Sequence, residues 1–270
     1  VGFANYVWLM GDSNFHQAVI NNLLWLIIVP SLATAFGLVI AVLADRLWWG
    51  NIAKSLVFMP MAISFVGASV IWRFVYDYRG DADQQIGVLN ALVTFFGFEP
   101  QAWITIPFWN SILLMIILVW IQTGFAMVIL SAALRGVPEE TLEAARIDGA
   151  NGFRIFFDIM IPQIKGTIVV VWTTITIVVL KVFDIVMAMT GGQWDTSVLA
   201  NLMYDWMFRG GGDYGRSSTL AMVLMFIGVK MLIVDFYKIP VGISLGVVAA
   251  LIAAAMAFSL IIKPKIKNTK

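Results

Sequence analysis

The chain reads as an all-α, polytopic bundle of membrane-spanning helices, and three observations predict it. The 270 residues are 61% hydrophobic and only 12% charged, whereas a soluble domain is about 45–50% apolar and about 25% charged. The mean hydropathy is +0.91. The apolar residues come in continuous runs rather than in the strict alternation of a membrane β-barrel. At about 20 residues per crossing there is room for five or six spans. Helices are the expected form, because lipid offers no partner to an unpaired backbone group. This composition excludes a soluble enzyme and a nucleic-acid-binding module. A net charge of +1 and a single histidine, His16, with no cysteine, exclude disulfides, thiolate chemistry and a histidine-rich metal site.

Taken in order, the apolar stretches run from Val19 to Ala44, Ser55 to Val75, Trp109 to Ala133, Gly166 to Met189, Ser217 to Phe236, and Pro240 to Ile262. Basic residues orient them. Arg46 and Lys54 follow the first stretch, and Arg135, Arg146, Arg154 and Lys165 follow the third. They outnumber Arg79, Arg209 and Arg216 on the other side. The segment 134–165 is therefore expected in the cytoplasm, and 1–17 outside. The last stretch opposes this bias. If it crosses, Lys263, Lys265, Lys267 and Lys270 land outside. The chain begins at Val1 with no basic-then-apolar leader, and is expected to be a fragment or an internal domain.

Segment 134–165 is the most polar. Pro138 suits the first position of a helix, and Glu139 and Glu140 follow at the positive end of its dipole. Gly149 is placed to end that helix in a left-handed cap, and Asn151 to cap a second. There Phe153, Phe156, Phe157 and Met160 fall at the spacing of one apolar face. Such a face suits a groove on a partner, or packs on the chain's own spans. Pro162 precedes the next span.

Within the spans, Lys181 and Asp184 are three residues apart and are expected to share a helix face. They read either as a polar patch near a transport path or as an ion pair reaching outward to the interface. Asn110, Gln122, Thr123, Thr173, Thr174 and Thr176 are neutral hydrogen-bonding groups on the central spans. They could meet a polar substrate or join helix to helix.

Glu143-Ala144-Ala145, Gly149 four residues after Ala145, then Ile159, Ile161 and Pro162, resemble the EAA loop of ABC importer permeases. That pattern has Leu where Ile161 stands. Gly2-Phe3-Ala4-Asn5-Tyr6, Asn21-Asn22, Met59-Pro60, Trp72-Arg73, Val182-Phe183-Asp184 and Met189-Thr190-Gly191-Gly192 extend the resemblance over residues 1–222 to the maltose-type carbohydrate permeases, with a lean towards the α-glucoside branch.

The resemblance implies a type I ABC importer permease in a bacterial inner membrane. Glu143, Ala144, Ala145, Gly149, Phe153 and Pro162 would couple to an ATPase, and Asn110, Gln122, Lys181 and Asp184 are candidates for the sugar path. The chain has no G-x-x-x-x-G-K-[ST] phosphate loop, so ATP and Mg are expected on separate ATPase subunits and no cofactor on this chain. A second permease subunit, an external sugar-binding protein and the lipid bilayer are the other implied partners. Members of the family usually carry a further span ahead of the Gly2–Tyr6 region. Residues 223–270 instead resemble the end of the TerC family of membrane proteins, linked to metal-ion export. This implies two genes joined near Ala221–Met225, by a real fusion or an assembly error, with a TerC-type exporter or a non-functional chimera as the alternative function.

Overall fold

A computed structural model describes residues 4–80, 83–209 and 212–234, with side chains as far as 226. The last apolar stretch, the lysine tail and most of the TerC-like segment lie outside the described residues. The described chain is helical: α1 (Ala4–Gly11), α2 (Ser13–Asp45), α3 (Gly50–Phe58), α4 (Phe65–Val75), α5 (Val88–Phe95), α6 (Trp109–Arg135), α7 (Glu139–Ile147), α8 (Gly152–Arg154), α9 (Ile161–Leu180), α10 (Asp184–Met189), α11 (Leu199–Tyr204) and α12 (Tyr214–Val234). Among the described residues three helices are long and apolar enough to cross a membrane: Ser13–Asp45, Trp109–Arg135 and the run Gly152–Leu180. The bent pair Gly50–Ala62 and Phe65–Val75 makes up to four. The fifth predicted stretch forms α12, which continues through the expected join at 221–225.

The described residues divide into two compact units, one within residues 21–196 and one of residues 4–20 with those described from 197 to 234. In the larger unit α6 is the central element. Leu114, Met115, Ile117, Leu118, Ile121, Met127 and Leu130 are all buried, so residues from every side of this helix meet protein. A helix apolar all round is stable only when so enclosed or in lipid. Two glycines let its neighbours approach. A methyl group on Gly124 would lie 2.6 Å from the Val57 carbonyl oxygen at the end of α3. One on Gly37 of α2 would lie 2.5 Å from the Ala126 Cβ. Trp72 of α4 meets Trp120 of α6 edge to face at 5.7 Å.

The second predicted span is not one straight helix. α3 passes into a 3₁₀ turn at Met59–Ala62 that contains Pro60, and α4 restarts behind Ser64, whose Oγ accepts a hydrogen bond from the Gly67 N–H at 3.1 Å. The two arms are bent by 108°. Proline cannot donate to a continuing helix, and a serine cap starts a new one. The fourth predicted span also stops short. α9 ends at Leu180, Lys181 takes a capping conformation, and a separate short helix begins at Asp184. Lys181 and Asp184 therefore lie on two elements and do not share a helix face. Both are exposed, with no ion pair between them among the described residues.

The smaller unit packs Leu9, Phe15 and Ala18 against Leu199, Leu202 and Leu220. The Arg216 guanidinium lies 3.7 Å over the Trp8 ring while Asp213 pairs with it at 3.0 Å. Ser217 donates to the Met203 carbonyl at 2.9 Å. Buried Ser217 thus anchors α12 to α11, and Arg216 joins α12 to α1.

Candidate functional site

The loop 134–165 folds into two helices separated by a tight turn. α6 ends at Arg135, and Pro138 stands as the cap of α7, one position earlier than its sequence suggests. Glu139 and Glu140 occupy the first turn, where the dipole favours them. α7 closes in a Schellman turn: the Ala150 N–H donates to the Ala145 carbonyl at 3.0 Å, and Gly149 takes φ +79°. Nothing lies within 4 Å of a methyl group placed on Gly149. The turn requires glycine for its backbone, not for space. Asn151 then caps α8, its Oδ1 accepting from the Arg154 N–H at 2.9 Å.

Next, the chain makes a π-turn at Ile155–Met160 before α9. Pro162 sits in the first turn of α9, inside a run that stays helical from Gly152 to Leu180. A proline there cannot donate, and its ring crowds the carbonyl four residues back. A π-turn widens the helix at that point and relieves the conflict. It also alters the predicted face. Phe153 and Phe157 stack with ring centroids 4.5 Å apart and point outward, 72% and 49% exposed. Phe156 and Met160 turn inward and, with Leu142, Ile155, Val42 and Leu134, line a cleft of about 620 Å³. The four residues do not form one apolar face.

Of the coupling candidates, Glu143, Ala144, Gly149 and Phe153 are exposed, and Ala145 is buried beneath them. Ile147, which the motif does not mark, is 86% exposed beside Gly149. Glu143, Ala144, Ile147, Phe153 and Phe157 are thus all exposed on this loop, Phe153 and Phe157 in mutual contact.

Behind this surface lies an ionic hub that no motif signals. Asp45, at the end of α2, accepts from Lys54 of α3 at 2.5 Å, from Arg135 of α6 at 2.6 Å and from Ser131 of α6 at 3.2 Å. Asp45 is recognisable in sequence only as an acid that closes a long apolar stretch. Its partners are nine to ninety residues away.

The path candidates separate. Asn110 is fully buried and committed: its amide donates to the Trp194 carbonyl at 2.7 Å and its Oδ1 accepts from the Ser111 N–H at 2.6 Å. Asn21, inside α2, donates to the Asp195 carbonyl at 2.6 Å. The two asparagines thereby hold consecutive carbonyls of a turn in which Trp194 and Asp195 both have positive φ, 52° and 61°. Such strain persists only where the surroundings enforce it. The Thr190 and Thr196 hydroxyls close the turn with a mutual bond of 2.6 Å. Gln122 is buried on α6 and makes no hydrogen bond among the described residues.

Comparison with known proteins completes the picture. An alpha-glucoside transport system permease protein, AglF, of Rhizobium meliloti (strain 1021) is 69% identical over 233 residues, covering 86% of this chain and 69% of the relative. An osmoprotective compounds uptake permease protein, GgtC, of Synechocystis sp. is 51% identical over 238 residues, covering 88% of this chain and 85% of that one. The solved structure of a bacterial ABC transporter that imports the acidic polysaccharide alginate has a chain matching with a TM-score of 0.72 at 20% identity, over 86% of this chain and 80% of that one. It shares the fold. The family profile of the binding-protein-dependent transport system inner membrane component matches residues 29–263, passing beyond residue 222. The chain belongs to this family of inner-membrane permeases.

Proposed function

We propose that the chain is a permease subunit of an ATP-driven importer for α-glucosides. It lines the translocation path together with a second permease, receives sugar from an external binding protein, and answers to an ATPase through the loop 134–165 on its cytoplasmic side. The sugar class follows the 69% identical relative. The observation that carries the coupling role is the exposure of Glu143, Ala144, Ile147, Phe153 and Phe157 on either side of a turn closed by Gly149 and the Asn151 cap. Apolar anchors with one charge suit a groove on a partner.

Three features support transmission of force. α8, the π-turn and α9 form one uninterrupted helical run of 29 residues, about 40 Å long, so displacement of Phe153 carries into the membrane. The Asp45 hub ties the ends of α2, α3 and α6 together behind the loop, so these three move as one body. At the far end of the same unit, α9 breaks at 181–183 and α10 leads into the turn held by Asn21 and Asn110. ATP hydrolysis belongs to the partner subunits. Gln122 of the central helix α6, whose side chain makes no hydrogen bond among the described residues, is the path candidate assigned to a sugar hydroxyl. Asn110 also acts as a strut, and Lys181 and Asp184, both exposed, stay candidates for the path.

The test is uptake of labelled α-glucoside into vesicles holding the assembled transporter, with ATP use measured alongside. Glu143→Lys and Gly149→Pro are expected to leave the subunit in the membrane while separating ATP use from uptake. Uptake at the unsubstituted rate in both would refute the coupling role.

A further inference from the structure

The cleft of about 620 Å³ under the loop is amphiphilic in a specific way. Its lining includes apolar side chains, Val42 and Phe156 among them, together with Arg46, Arg135 and Arg146 and a single carboxylate, Asp45. That carboxylate is already engaged by Lys54 and Arg135. The side chains of Arg46 and Arg146 form no ion pair or hydrogen bond among the described residues. Among the residues that line it, the cleft therefore holds an excess of positive charge.

Its location is set by the helices. Arg46 follows the last residue of α2, Arg135 is the last residue of α6, and further lining residues belong to the start of the Gly152–Leu180 run. These three are ends of helices long enough to cross a membrane, and Arg146 stands on α7 of the loop that follows α6. Basic pockets between spans attract anionic headgroups, and guanidinium groups match phosphate oxygens in pairs.

We propose that this cleft binds a phosphate group between Arg46 and Arg146, presented by an anionic phospholipid of the inner leaflet or by free phosphate. The shared chemistry is a phosphate anion against two unpaired guanidinium groups. A bound lipid would insert an acyl chain beside Val42 and Phe156, brace the back of the loop and make coupling sensitive to lipid composition. Both arginines are exposed, so binding weakens as salt rises.

The experiment uses the transporter assembled with its ATPase and second permease. It is extracted in mild detergent from vesicles of equal phosphatidylglycerol and phosphatidylcholine, and retained lipid is counted per transporter by mass spectrometry. Phosphatidylglycerol should be enriched, and Arg46→Gln with Arg146→Gln should lower the enrichment about 5-fold for each arginine. Val42→Trp, which narrows the cleft and leaves every charge in place, should also lower it. Enrichment that millimolar inorganic phosphate leaves intact assigns the site to lipid. Protection of Arg146 from dicarbonyl modification by inorganic phosphate, without lipid enrichment, assigns it to free phosphate. Absence of both effects, or enrichment unchanged in the double variant and in Val42→Trp, overturns the proposal. Since no sugar uptake is measured, this outcome is separable from failure of the importer reading.

Discussion

Replacing Gly149 isolates a backbone effect from a packing effect. Its φ is +79° and no atom lies within 4 Å of an added methyl group. Gly149→Ala therefore introduces no clash, and its whole cost is the left-handed conformation, about 1–2 kcal/mol for an L-residue with a Cβ. That energy corresponds to a factor of roughly 5–30 in an equilibrium constant. If the free loop relaxes to relieve the strain, docking must restore the turn, and the affinity of the ATPase subunit for the permease falls by that factor. Asparagine tolerates the left-handed region better than other residues, so Gly149→Asn should lose clearly less. The assay is titration of ATPase subunit onto permease held in nanodiscs, with thermal unfolding recorded in parallel. Equal affinities for glycine, alanine and asparagine would refute the argument that the turn's backbone geometry governs docking.

Other outcomes follow from the packing. Asp45→Asn leaves Lys54, only 15% exposed, without its carboxylate. Arg135 is 63% exposed and contributes little, so the expected loss is about 1–2 kcal/mol, read as a lowered unfolding temperature. Adding Lys54→Met should recover part of it, and a further drop would contradict the hub. Asn110→Ala removes a buried bond to the Trp194 carbonyl and should cost about 1–3 kcal/mol. Amide exchange over residues 190–196 should rise, while unchanged exchange would show that Asn110 does not hold the turn. Gly124→Val drives a side chain into the Val57 carbonyl and the Phe58 Cα, both backbone atoms. It should abolish stable insertion, measured as the monodisperse fraction after extraction, whereas Ala126→Gly nearby should be tolerated.

Much of the loop was legible in the sequence because its determinants are local. A glycine that needs positive φ, an asparagine before a helix and two acids in a first turn each act within four residues, and the structure has them in those roles. What escaped depends on distance or register. The hub at Asp45 joins three helices across up to ninety residues, and nothing in the apolar stretches says which acid meets which base. The helical period places Phe153, Phe156, Phe157 and Met160 on one face only if the helix keeps its pitch, and the π-turn ahead of Pro162 changes it. Hydropathy likewise counts apolar residues without sensing a bend, so the break at Pro60 and Ser64 and the break after Leu180 both lie inside stretches that read as continuous. Asn110 is legible as a polar group in a span, yet its partner is a carbonyl eighty-four residues away, which makes it a strut.

The π-turn at Ile155–Met160 has a bearing on how this chain can change length. Each residue of an α-helix advances the chain by about 100° and 1.5 Å. Deleting one residue between Gly149 and Pro162 would tighten the turn to ordinary pitch and swing the Phe153–Phe157 pair about a quarter turn around the axis, towards the cleft. Inserting one would swing it the other way. The deletion would also bring back the conflict at Pro162 that the π-turn relieves, and either change would aim the outward rings at the wrong place. The spacing from Gly149 to Pro162 is thus expected to resist insertion and deletion far more strongly than most substitutions within it.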